Sequence, residues 1–270
     1  MHKINDLNGL SGCIVELYKD SSSYVVKKTS ANLEYNDRLI SQILKQKEFN
    51  SIQFLKPEIL SENVNEDGRY YVFMEYISGI NFYDYVDASS IAQSKKILKL
   101  LVGNIMNDFG DESVIDTTPI IEKIKSLQEK INGYNDIFSY LLSNVPTKLP
   151  LKNTHGDLTF ENIIISDDQN IYLIDFLDSF VETPYIDLAK LNQEFELKWS
   201  IRNKEVTNNL IIKYNYLKTI YNELIQTTKI DSNILNFFTI LNLLRILPYA
   251  KGNDREVVVT ELNIWKTKLQ

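Results

Sequence analysis

The sequence predicts an α+β fold in two parts. Three observations carry that expectation. Short β-branched and aromatic runs, the mark of strands, gather ahead of residue 77. From residue 78 to 270 apolar residues recur mainly at helical spacing. A short β segment at 154–175 interrupts that helical part and carries a dense polar cluster. The expected units are a β-rich 1–77 and a mainly helical 78–270.

The elements follow in order. Residues 13–18, "CIVELY", and 23–28, "SYVVKK", read as strands joined by the turn residues of "KDSS". "LNGLSG" ahead of them, with Gly9 and Gly12, permits a tight exposed backbone. Leu33, Leu39, Ile40, Ile43 and Leu44 predict a helix over 31–48. Pro57 forbids helix in "SIQFLKPEIL", which reads as extended. "GRYYVFMEYISG", 68–79, is the strongest strand signal and stops at Gly79. Helices are then expected over 89–109, 118–131 and 135–145. Ser89 or Ser90 would cap the first, and Thr117 or Thr118, beside Pro119, the second. After the β segment, helices are expected over 186–198, 204–226, 231–247 and 255–268.

Composition narrows the class. A chain of 270 residues, 44% hydrophobic and 24% charged, is ordinary for a soluble globular protein. A net charge of −7 gives no bulk attraction to nucleic acid or anionic membrane. The single cysteine, Cys13, rules out an intramolecular disulfide and suits a cytoplasmic chain. The first twelve residues hold no apolar run of the signal-peptide kind. No stretch approaches the roughly 18 apolar residues of a membrane helix. A monomer or homodimer is expected.

The chemistry concentrates in "HGDLTFEN", 155–162, and "IYLIDF", 171–176. Asp157 and Asn162 are five apart, and Asp175 lies eighteen beyond Asp157. Phosphoryl transfer calls for these groups. A carboxylate orients the attacking hydroxyl and takes its proton, and oxygen ligands hold the Mg²⁺ that neutralises charge on the phosphates. On this reading Asp157 is the base, and Asn162 and Asp175 are the metal ligands.

These residues resemble those of the aminoglycoside phosphotransferase and choline kinase branch of the kinase-like fold. That branch shows H-G-D-x-x-x-x-N followed by I-D-F or I-D-W, matched by His155-Gly156-Asp157…Asn162 and Ile174-Asp175-Phe176. "PYIDLAKL", 184–191, is similar to its D-L-A segment through Asp187-Leu188-Ala189. The specific motifs lie within 155–189. The resemblance implies a two-lobed fold with a small β-rich lobe and a larger helical one, ATP and Mg²⁺ as cofactors, and a hydroxyl acceptor. Two departures set the chain apart from protein kinases. Thr159 stands where Ser/Thr kinases carry lysine, and the short run from Asp175 to Asp187 leaves no room for a peptide-binding loop. The acceptor is therefore expected to be a small molecule.

The same template implies roles in the first part. Lys27 fits the strand lysine that reaches the phosphates, with Val25 on its face against the adenine and Lys28 pointing away. Its carboxylate partner would be Glu34, with Asp37 and Glu48 as rivals; a solvated helix face explains Glu34 equally well. Ser11 and the backbone of Gly12 would face the phosphates, although "NGLSG" does not match G-x-G-x-x-G. Backbone groups near Glu75 and Ile77 would bind the adenine edge. His155 is expected to brace the loop, Asp187 to cap its helix or brace the loop, and Asp178 to hold the loop or serve as a second acid.

The acceptor is less legible. Glu194, Glu196 and Trp199 could hold a cationic aminoglycoside, yet a solvated helix face suits the two acids better. Gly156 replaces the asparagine usual in the choline kinase branch, which tilts against choline. A sugar, polyol or related metabolite, as in bacterial surface-glycan pathways, is the expected acceptor, with an aminoglycoside as runner-up. A nucleotide-binding protein without catalysis is the alternative of another class. The presence of Asp157, Asn162, Asp175 and a strand lysine favours an enzyme.

Overall fold

The computed structural model describes residues 1–7, 12–21, 23–228 and 230–269. The chain runs β1 (His2–Leu7), β2 (Ile14–Asp20), β3 (Ser23–Thr29), α1 (Asn36–Glu48), β4 (Ile59–Val64), β5 (Tyr70–Glu75), β6 (Gly79–Asn81), α2 (Phe82–Ala88) and α3 (Ile91–Asn107). It continues through β7 (Glu112–Val114), α4 (Thr118–Gln128), α5 (Asn135–Ser143), β8 (Lys148–Pro150), β9 (Ile163–Ser166) and β10 (Ile171–Leu173). Four helices close it: α6 (Pro184–Leu197), α7 (Asn208–Gln226), α8 (Ser232–Ile246) and α9 (Gly252–Lys268). The α+β class is as expected.

The chain divides into two compact units: Met1–Ile80 with Ile163–Asp178, and Asn81–Asn162 with Ser179–Gln270. The expected break at 77/78 is therefore three residues early, and the hairpin of β9 and β10 goes with the first unit. Hydrogen bonding explains the reassignment. β10 and β9 form a sheet with β6, and Leu55 pairs with Tyr172. Gly79 permits that approach, because a Cβ there would stand 2.3 Å from the Ile165 carbonyl oxygen.

The first unit is built on an antiparallel sheet of order β1-β2-β3-β5-β4. Alternation along β3 and β5 gives each face its own set of side chains. Leu39 and Ile43 of α1 pack with Cys13, Tyr70 and Val72 on one face. Tyr71 and Phe73 point from the opposite face and meet edge to face, with ring centroids 5.8 Å apart. α1 begins at Asn36 rather than 31, because Asn32 accepts a hydrogen bond from the Tyr35 N–H and caps the start of a separate 3₁₀ turn, Leu33–Tyr35.

The second unit is helical around a fully buried Phe160. Its ring meets Phe82, Phe195 and Tyr214 at centroid distances of 4.6, 5.4 and 5.5 Å. α6 and α8 are buried along most of their length, so neither shows a clear amphipathic stripe. Ser90 caps α3 with a full capping box to Gln93. Among the described residues, β1, α2 and the β7–β8 pair were not anticipated; these elements are short or strongly polar. No helix among the described residues is long and apolar enough to cross a membrane.

Candidate active site

Each unit presents one group of the expected residues. In the first, β3 and the turn after β10 bring a lysine to Asp175, and that lysine is Lys28. Its ammonium donates to Asp175 Oδ1. Lys28 pairs across the sheet with Val72, on the face covered by α1, and is buried. Burial alone would pull its pKa down, but the Asp175 carboxylate outweighs that and lifts it above the usual lysine value.

The expected register was off by one. Lys27 lies on the opposite face, its ammonium 4.5 Å from the Tyr71 ring centroid, a cation–π contact. Val25 shares that face by strand alternation, whereas Val26 shares the face of Lys28. The reason is which face α1 covers, and "VVKK" does not encode it.

Asp175 has φ +63°, in the left-handed region that aspartate tolerates better than most residues. Its carboxylate is half exposed. The segment after it is held by α1: Lys45 Nζ donates to the Leu177 carbonyl at 2.8 Å, and Arg38 Nε lies 3.4 Å from Asp178 Oδ1. The expected acid on α1 is not there. Glu34 is exposed in the 3₁₀ turn, and Asp37 and Glu48 are exposed as well. The inward polar positions of α1 are Gln42, Lys45 and Gln46, so none supplies a carboxylate to Lys28.

The remaining candidates in the first unit divide. Gly12 has φ +77°, a conformation that calls for glycine. Ser11 lies outside the described residues. The Glu75 N–H is committed to the Glu58 carbonyl at 2.9 Å, so it is not free for a ligand. Ile77 makes no backbone hydrogen bond among the described residues.

The second unit builds the candidate loop around Asp157. Asp187, in the first turn of α6, accepts from the His155 and Gly156 N–H groups, both at 2.8 Å. Gly156 can give its N–H there because its φ is +85°. His155 Nδ1 accepts from the Asp157 N–H at 3.2 Å. His155 thus shapes the loop. Asn162 donates from Nδ2 to the Asp157 carbonyl at 2.8 Å and to Oδ2 at 3.1 Å. Both amide protons are spent, so Oδ1 of Asn162 is left as an acceptor with no donor among the described residues.

Asp157 has a further partner that the sequence reading missed. Lys190 Nζ stands 2.9 Å from Asp157 Oδ1. Burial pushes the Asp157 carboxyl up, but Lys190, with His155 and Arg245 beyond it, more than offsets this and holds it below the usual aspartate value. The sequence carried a signal: Lys190 is three residues after Asp187, so helical periodicity puts both on one face.

Glu194, one turn further on, is fully buried. It accepts from the Phe160 N–H at 3.1 Å, the Ser200 N–H at 3.0 Å, the Ser200 hydroxyl at 2.6 Å and the Tyr214 hydroxyl at 2.9 Å. Burial raises its pKa despite these donors. Glu194→Ala is expected to destabilise the protein by about 3 kcal/mol or more, because it strands buried donors. Urea unfolding of the two proteins checks this. Glu196 pairs with Lys218 at 2.6 Å, and the Arg202 guanidinium lies 3.7 Å from the Trp199 ring centroid. All three residues considered for a cationic acceptor therefore have partners already.

The family model described as "Phosphotransferase enzyme family" matches residues 121–203, a span that contains Asp157, Asn162, Asp175 and Asp187. That stretch is similar to the phosphotransferase family. The fold agrees with solved phosphotransferases along nearly the whole chain. A thermostable mutant of aminoglycoside phosphotransferase APH(4)-Ia, in ternary complex with ADP and hygromycin B, superposes with a TM-score of 0.61 at 13% identity, covering 97% of this chain and 92% of that one. A GDP complex of an aminoglycoside 2'-phosphotransferase-IIIa mutant gives 0.60 at 13% identity over 97% and 89%. A putative fructosamine-3-kinase from Haemophilus somnus 129PT gives 0.53 at 14% identity over 96% and 91%. No curated protein matches this sequence. The chain thus has the two-part fold of these kinases that its motifs implied, and its match over 121–203 is to a phosphotransferase family model.

Proposed function

We propose that the protein transfers the γ-phosphoryl group of ATP, with Mg²⁺, to a hydroxyl of an uncharged or weakly charged small molecule such as a sugar or polyol. The observation that carries this reading is the arrangement of Asp157 and Asn162. The loop holds a carboxylate beside an amide whose oxygen alone is left over. That is the donor set a hard oxygen-seeking cation and an attacking hydroxyl would use together. Asp175, half exposed and with Oδ2 without a hydrogen bond among the described residues, has a carboxylate oxygen to offer a cation.

The residues would divide the work as follows. Asn162 Oδ1 and the Asp175 carboxylate would hold Mg²⁺, which when bound neutralises charge on the phosphates. Lys28 would hold the nucleotide's phosphates, leaving Asp175 Oδ1 as the ligands arrive. Asp157 would orient the acceptor hydroxyl toward the γ-phosphorus and take its proton as the O–P bond forms. Ile77 would offer its backbone to the base edge. Most of the rate then comes from positioning and charge stabilisation rather than base strength.

The acceptor class rests on a different observation. The acids considered for an aminoglycoside are committed, Glu194 to the Phe160 loop and Glu196 to Lys218. A polycation would have to break those contacts. A neutral polyhydroxy acceptor makes no such demand, and among the fold relatives the putative fructosamine-3-kinase is named for a sugar derivative. ADP release from Mg·ATP, measured across sugars, polyols, choline, ethanolamine and aminoglycosides, tests this. A rate increase with a sugar or polyol, and none with aminoglycosides, is the expected result. Turnover with an aminoglycoside alone would overturn the acceptor class, and nucleotide binding without turnover would favour a nucleotide-binding module.

A further inference from the structure

Lys190 takes up the Asp157 carboxylate in a way that a purely structural ion pair does not require. Asp157 is about one-third exposed at its side chain, and its Oδ2 already accepts from Asn162. Such a carboxylate is satisfied by water and one amide. Yet α6 delivers a lysine whose own side chain is nine-tenths buried to its other oxygen. Removing that cation from water is costly, and a partly exposed aspartate could have gone without it.

The ammonium is held in place from behind. Nζ also donates to Gln193 Oε1 at 3.3 Å, and Gln193 is fixed by the Asn242 amide at 2.7 Å. Gln193 and Asn242 are both buried. The lysine is therefore positioned by a relay running from α8 through α6 to the loop. An ammonium has three protons. One goes to Asp157 and one to Gln193, and the third has no acceptor among the described residues.

We propose that Lys190 is a catalytic residue whose third N–H donates to a γ-phosphoryl oxygen during transfer, while its first keeps Asp157 in place. The proposal rests on the phosphotransferase reading above. The acceptor oxygen forms its bond to phosphorus as the bond to the ADP oxygen breaks. The acceptor proton passes to Asp157, and Lys190 remains an ammonium throughout. As Asp157 becomes neutral its hold on Lys190 weakens, and the positive charge is offered to the phosphoryl oxygens as they need it.

The test separates this role from a structural one by using the γ-phosphate as the variable. Calorimetric titrations compare Mg·AMP-PNP and Mg·ADP binding to the wild type, Lys190→Ala and Lys190→Arg, with Lys190→Gln as a second neutral variant should the alanine protein unfold. Loss of a charge-assisted hydrogen bond to the γ-phosphoryl group is expected to weaken AMP-PNP by about tenfold or more and leave ADP within about twofold. The arginine variant is expected to recover most of the AMP-PNP affinity. Equal weakening of both nucleotides, or of neither, would overturn the proposal, since a structural lysine makes no distinction between them. Failure of the wild type to bind either nucleotide would instead overturn the phosphotransferase reading beneath it.

Discussion

Asp157→Asn is expected to lower turnover by about a thousandfold or more while leaving Mg·ATP affinity within about threefold of the wild type. The asparagine keeps the size of the side chain and can still accept from Asn162 through its amide oxygen. It cannot take a proton, and it presents no charge to Lys190. The loop itself should survive, because its shape is held elsewhere: Asp187 grips the His155 and Gly156 N–H groups, and Glu194 grips that of Phe160. Steady-state rates with whichever acceptor the panel identifies, together with calorimetric nucleotide affinities, measure both quantities. A variant that kept wild-type turnover would remove Asp157 from the chemistry.

The second large effect separates two adjacent lysines. Lys28→Met is expected to reduce kcat/KM for ATP by about two to three orders of magnitude, and Lys27→Met by less than about threefold. Lys28 is the buried ammonium on Asp175, so its loss also leaves that carboxylate without its counter-charge. Lys27 spends its charge on the Tyr71 ring on the other face of the sheet, where its removal changes only a local contact. The reverse ranking would restore the register that the sequence suggested.

How far the sequence could be read depended on which physical rule each residue answered to. The loop residues Asp157, Asn162 and Asp175 stood out because the proposed metal, base and hydroxyl would demand particular atoms at fixed spacing along one loop and one hairpin. The long helices were legible because their apolar faces repeat. The β3 lysine was not, because alternation assigns two faces without saying which one α1 will cover. The lysine's acidic partner was sought on α1 for the same reason. Asn32 delays that helix and leaves Glu34 in solvent, while the inward positions hold Gln42, Lys45 and Gln46. Lys190 escaped notice, and Glu194 was read as a solvated helix face, because polar residues on a helix are ordinarily solvated. Only the packing of α6 on every side makes them interior groups with work to do.

The most direct measurement follows the phosphoryl group itself. Protein, Mg²⁺ and γ-³²P-labelled ATP are incubated with the panel of neutral and cationic acceptors, and the products are separated for the wild type and Asp157→Asn. The account predicts label on a neutral polyhydroxy acceptor with the wild type and none with the variant. Label reaching the same acceptor equally with both proteins, or remaining in ATP with every acceptor while Mg·ATP binds, would contradict it.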